Sequence, residues 1–83
     1  MVARAQHNTV LRIEMYPVKS SNIAEVGYDK PSKTLRIRFH DRNLVYDYSP
    51  VPASIYALLM LSKSKGSFFA EEIRPIFKAQ RVE

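Results

Sequence analysis

Residues 33–48 read KTLRIRFHDRNLVYDY, and this stretch decides the fold. Leu35, Ile37 and Phe39 alternate with Thr34, Arg36, Arg38 and His40. Beyond Asp41-Arg42-Asn43, Leu44, Tyr46 and Tyr48 alternate with Val45 and Asp47. Alternation with a period of two over runs this short marks strands buried on one side. A turn centred on Asp41-Arg42 sets Phe39 against Leu44, Ile37 against Tyr46 and Leu35 against Tyr48. All six then share one face, and a slip of one residue would turn them into water. The opposite face pairs Arg36 with Asp47 and Arg38 with Val45.

Outward from this hairpin, residues 10–18 alternate as well, with Leu11, Ile13 and Met15 against Arg12, Glu14 and Tyr16. They predict a strand ending at Pro17, which lacks the N–H a ladder needs. Lys19-Ser20-Ser21-Asn22 is a polar turn. Residues 23–29, IAEVGYD, form the next strand, with Gly27 at a bulge or at a close approach by another backbone or a ligand. Asp29-Lys30-Pro31-Ser32 is a turn. Ser49-Pro50-Val51-Pro52 stops the sheet, and a helix follows with Val51, Ile55, Leu58, Leu59 and Ser62 on one face. Tyr56, Met60 and Leu61 widen that face, so the helix is expected to be well buried across the aromatic side of the hairpin, above Tyr46. Gly66 suits a left-handed helix end and Ser67 a new helix start. The second helix presents Phe68, Phe69, Ile73 and Phe77, and Pro75 bends or ends it. The expected fold is α+β: an antiparallel meander of three or four strands followed by two helices packed on one face. Residues 1–9 are expected to be flexible, 10–78 to form one domain, and 79–83 to be a charged tail.

The chain has 83 residues, 13 Lys and Arg against 8 Asp and Glu, and no Cys. One small core is possible at this length. Disulfides and thiolate metal sites are excluded, and a reducing, cytoplasmic setting is expected. No apolar run approaches the ~20 residues of a membrane-spanning helix, and the first residues lack the apolar segment of a signal peptide. A net charge of +5 favours an anionic partner, either nucleic acid or an acidic protein surface.

Five short motifs stand in order: Ser20-Ser21, Gly27-Tyr28-Asp29, Tyr46-Asp47-Tyr48, Val51-Pro52 and Ser64-Lys65-Gly66-Ser67-Phe68-Phe69. On these the chain resembles the KTSC domain, a family named from the C-terminal extension of some lysyl-tRNA synthetases and also found as small bacterial or phage proteins. Many members carry a Gly at the turn occupied here by Asp41-Arg42-Asn43, and the first seventeen residues lie outside the pattern. The resemblance implies a domain without assigned activity, for which the link to a tRNA synthetase suggests RNA as a partner.

The candidate nucleic-acid surface is the basic face of the hairpin: Lys33, Arg36, Arg38, His40 and Arg42. Outward positions along a strand stand roughly 7 Å apart, comparable to the phosphate spacing of a single strand, and guanidinium groups suit phosphates and bases. The plainer reading is a solvated sheet face with Arg36 tied to Asp47. Lys63, Lys65, Arg74 and Lys78 form an alternative basic surface. The aromatic set (Tyr28, Tyr46, Tyr48, Tyr56, Phe68, Phe69 and Phe77) is read as core rather than as a base-stacking platform. His7 and His40 have no metal-ligand spacing, and there is neither a nucleophile elbow nor a phosphate-binding glycine loop. No catalytic residue, metal or cofactor is expected. The function class is a non-enzymatic binding module, for RNA or alternatively for a protein, with pairing of an exposed edge strand, including to a second copy, as a further mode.

Overall fold

The structure is a computed structural model that describes residues 12–82. Five strands pair in sequence order as an antiparallel sheet: β1 (Tyr16–Pro17), β2 (Ile23–Asp29), β3 (Thr34–Phe39), β4 (Val45–Ser49) and β5 (Lys78–Arg81). Two helical segments stand between β4 and β5: α1 (Ala53–Leu61), and α2, which starts as an α-helix over Lys65–Phe68 and widens into a π-turn over Phe69–Ile73. The meander and the helix pair are as the sequence predicts. Among the described residues the strand count is five instead of three or four, because the expected C-terminal tail is β5, paired along β4 from Ser49↔Lys78 to Tyr46↔Arg81.

The hairpin register is the one its alternation dictates: Leu35↔Tyr48, Arg36↔Asp47, Ile37↔Tyr46 and Arg38↔Val45. Phe39 N–H donates to Leu44 C=O at 2.9 Å and closes the ladder at the Asp41–Asn43 turn. Arg42 and Asn43 take the tightening of this turn at φ 52° and 53°, in the left-handed region. Val26, Leu35 and Ile37 face the helices and are fully buried, and with Ile23, Tyr48, Val51, Leu59, Phe69 and Ile73 they make the core. Phe69 is the central piece: its ring lies edge-on to both Phe39 and Tyr48, each at 5.3 Å between centroids. The remaining aromatics, Tyr28, Tyr46, Tyr56, Phe68 and Phe77, pack around this core as read from the sequence.

Several local expectations are corrected. Among its described residues, the stretch expected to be a strand from residue 10 has two paired residues, Tyr16 and Pro17; its start and the expected flexible residues 1–9 lie outside the described residues. Gly27 is not a bulge, since its pairing with Arg36 is regular and the irregularity falls between Ile23 and Glu25. It is a crossing point. A Cβ there would collide with the Glu14 carbonyl oxygen and sit 2.7 Å from Ile13 Cγ2 and Met15 Sδ, so only Gly lets residues 13–15 run over the sheet. Helix α1 buries Leu59 alone, and Leu58 and Leu61 point to solvent. A helix in which Ser54 is the one residue that is not apolar or aromatic lacks the polar stripe that tells one side from the other. Its end is the extended backbone at Ser62, and Gly66 is helical instead of left-handed. The cap of α2 is Ser64, whose Oγ accepts from Ser67 N–H at 3.4 Å. Pro75 ends the helix as expected: Arg74 N–H reaches back to Phe69 C=O at 2.9 Å, a π-type bond that leaves both Phe69 and Ile73 buried.

Candidate functional site

The sheet face opposite the helices carries the expected arginines, and each of them meets a carboxylate. Arg36 is buried and binds Asp47 with two parallel bonds, Nε to Oδ1 at 2.7 Å and Nη2 to Oδ2 at 2.9 Å. Arg38 has Val45 opposite on β4, and its acidic partner comes from the other neighbour, β2: Nη2 lies 2.9 Å from Glu25 Oε1. Arg38 Nη1 also donates to Asn43 Oδ1 at 2.8 Å. Arg42 is exposed and bound to Asp41 at 3.2 Å, which raises its pKa further. His40 Nε2 stands 3.0 Å from the Ser20 carbonyl. Lys33 is exposed at a left-handed turn position, φ 56°. Arg12, Ile13 and Glu14 line the space above Arg36, so the N-terminal segment crosses this same face. The bidentate pair commits two of the Arg36 guanidinium's N–H donors and offsets its charge with a carboxylate, which weakens its attraction for a phosphate.

The alternative basic set divides into three places. Arg74 lies over the Phe69 ring at 5.8 Å. Lys78 opens β5 at the sheet edge. Lys63 and Lys65 line a groove of about 410 Å³ together with residues from the other end of the chain: Lys19, Ser20, Ser21 and Asn22 form one wall, Ser64, Gly66 and Ser67 the other. The walls are locally braced. Ser20 Oγ accepts the N–H groups of Asn22 at 3.2 Å and Ile23 at 3.1 Å, which holds the turn into β2. His40 N–H donates to Asn22 C=O at 3.0 Å, tying that turn to the end of β3. Across the groove, Ser64 Oγ bonds Ser67 Oγ at 2.9 Å and Lys65 Nζ donates to Ser62 C=O at 2.9 Å. Gly66 fits between the walls: a Cβ on it would stand 3.6 Å from Asn22 Cβ and 3.7 Å from Ser20 Oγ.

Among the described residues, those lining this groove include three lysines and no carboxylate. Sequence reading places Lys63 and Lys65 on a basic end but does not join them to Lys19, Ser20, Ser21, Ser64 and Ser67. The signal is present in KSSN and KSKGS, two short Lys-Ser runs without acidic residues. What the sequence lacks is any local mark that the two runs meet. Among the described residues no group of three His, Asp or Glu side chains is placed to hold a metal, and no helix is long and apolar enough to cross a membrane.

The groove walls and the core behind them coincide with the reach of a known family. The model of the KTSC domain matches residues 19–77. The chain belongs to the KTSC domain family. Among solved structures, the KTSC domain protein YPO2434 from Yersinia pestis is similar at 32% identity with a TM-score of 0.82, over 87% of this chain and 100% of that one. A comparison with curated proteins returns no match. The family match runs from Lys19 to Phe77, so both walls of the groove fall inside the KTSC domain, whereas the crossing segment before Pro17 and the strand β5 flank it.

Proposed function

We propose that this KTSC domain is a non-enzymatic module that binds single-stranded RNA by its phosphate backbone, in the groove between residues 19–22 and 63–67. The observation that carries this reading is the contrast between two basic surfaces. The sheet-face arginines are each matched by a carboxylate, while among the described residues the lining of the groove holds Lys19, Lys63 and Lys65 and no carboxylate. Lysine ammonium groups and serine hydroxyls are donors suited to phosphate oxygens, and hydroxyls also suit the ribose 2′-OH. The resemblance to a domain that also extends some lysyl-tRNA synthetases favours RNA over DNA.

The test is a salt titration. A fluorescent single-stranded RNA should bind at low ionic strength, and log affinity should fall with log salt at about −0.7 per phosphate engaged. Replacing Lys19, Lys63 and Lys65 together by Gln should flatten that slope by ~2. Arg38→Gln, on the sheet face, should leave the slope unchanged. An unchanged slope in the triple variant, or no RNA binding at low salt, overturns the assignment.

A further inference from the structure

We infer that the outer edge of β5 is a docking site for an extended acidic peptide, which adds to the sheet as a sixth strand. Val82 N–H donates to Val45 C=O at 2.7 Å. Along an antiparallel ladder, alternate residues turn both backbone groups to the same neighbour. With Asp47↔Gln80 and Ser49↔Lys78 in register, Lys78, Gln80 and Val82 therefore face β4. Ala79 and Arg81 turn their N–H and C=O groups outward. Among the described residues nothing pairs with that edge, because β5 is the last strand of the order and all four of its residues are exposed.

Charge selects the occupant. Strand β5 reads KAQR, with a cation at each end and no acid. The register sets Lys78 on the outer face beside Ser49 and Arg81 on the helix face beside Tyr46. An added strand alternates its side chains between the same two faces, so acidic residues of either parity meet a cation. On the outer face a cleft of about 550 Å³ adjoins β5, lined by Thr34, Asp47, Ser49, Gln80 and Lys78. Asp47 there is committed to Arg36, which leaves Lys78 as the lining cation that receives a partner carboxylate. A second copy of β5 in the same place would bring two further cations to a ladder of four residues. Like charges across a ladder are destabilising, so the edge discriminates against its own copy while accepting an anionic strand. Backbone pairing then supplies affinity and the flanking charges supply selectivity.

The probe is a short end-blocked peptide alternating glutamate with valine, and the control is its lysine–valine counterpart. The acidic peptide should bind at low salt and the lysine peptide should not. Ala79→Pro deletes an N–H that points away from β4 and keeps the β4 ladder; it should weaken binding at least tenfold. The double variant Lys78→Glu, Arg81→Glu leaves the backbone untouched and should weaken it by a similar factor. Amide exchange gives a separate readout: the Ala79 and Arg81 amides should become protected when the peptide is added, and Gln80 and Val82 should already be slow without it. Failure of the full chain to bind the acidic peptide overturns the inference. So does binding that survives Ala79→Pro but is lost on replacing Lys63 and Lys65. Self-association of the unliganded chain that Ala79→Pro abolishes would assign the edge to a second copy instead.

Discussion

Tyr46 and Tyr48 share a strand and a face, yet they do different things. Tyr48 is 4% exposed and packs edge-on to Phe69. Tyr46 is half-buried beside it, 6.4 Å away between ring centroids, with Arg81 of β5 across the ladder. Period-two alternation reveals the face a residue occupies, not how far it lies from the rim. On sequence Tyr46 reads as a mid-strand core residue beneath the first helix; in the structure Tyr48 is the more deeply buried of the two. Tyr48→Ala should cost ~3–5 kcal/mol and Tyr46→Ala about 1–2 kcal/mol, both read from urea melts of the same preparation. Equal costs would show that Phe69 does not set the centre. The Tyr48 hydroxyl carries a second test. Burial, and then the neighbouring Tyr46, push its pKa up to about 12, against ~10 for a free phenol. Above pH ~10 the unfolded chain releases this proton while the folded chain retains it, so stability is intact below ~10 and falls as pH rises toward about 12. The loss across that window is roughly 2–3 kcal/mol. Tyr28, raised by burial as well, acts in the same direction. Tyr48→Phe should flatten the decline between about pH 10 and about pH 12; an unchanged slope would place the alkaline sensitivity elsewhere.

Among the elements, those with two unlike faces are legible in the sequence and those without are not. In the β3–β4 hairpin the apolar set alternates, and its register follows from the sequence residue by residue; the burial of Thr34 and Arg36 on the other face of β3 and the irregularity between Ile23 and Glu25 in β2 leave no such mark. Strand β5 is exposed along its length, so KAQR has no alternation to read and passes for a tail. Helix α1 fails for the opposite reason: Ser54 apart, it is apolar or aromatic throughout, and nothing local says that Leu59 goes in while Leu61, 80% exposed, stays out. The turn between β3 and β4 lies where the alternation puts it, but its cost is not visible in the residues. Arg42 sits at φ 52° and ψ 18°, where a side chain with a Cβ is disfavoured by roughly 1 kcal/mol and Gly is not. Its ion pair with Asp41 lies on the surface and contributes little. Arg42→Gly should therefore stabilise the domain by about 1 kcal/mol, raising the melting temperature by about 4–8 °C. A lower melting temperature would mean that the Arg42–Asp41 contact outweighs the backbone strain.

At the scale of the whole molecule, charge is apportioned more finely than a net value of +5 suggests. The sheet face commits its arginines to Asp47, Glu25 and Asp41, and the groove concentrates lysines. Composition reports an excess of cations but not where it is left unmatched, because matching depends on strands that meet only after folding. The same holds for the groove, whose walls come from the turn before β2 and from the start of α2. Neither wall exists in an unfolded chain. An occupant that needs both walls favours the folded form, and its differential binding free energy is added to that of folding. At a hundredfold excess over Kd this amounts to ~2.7 kcal/mol, a rise in melting temperature on the order of 10–20 °C. Oligonucleotides should produce that rise in the parent chain and lose it when Lys19, Lys63 and Lys65 are Gln together. A melting curve thus becomes a detector that works before any ligand has been identified: a panel of anions run against this domain ranks itself by how far each delays the loss of the two walls.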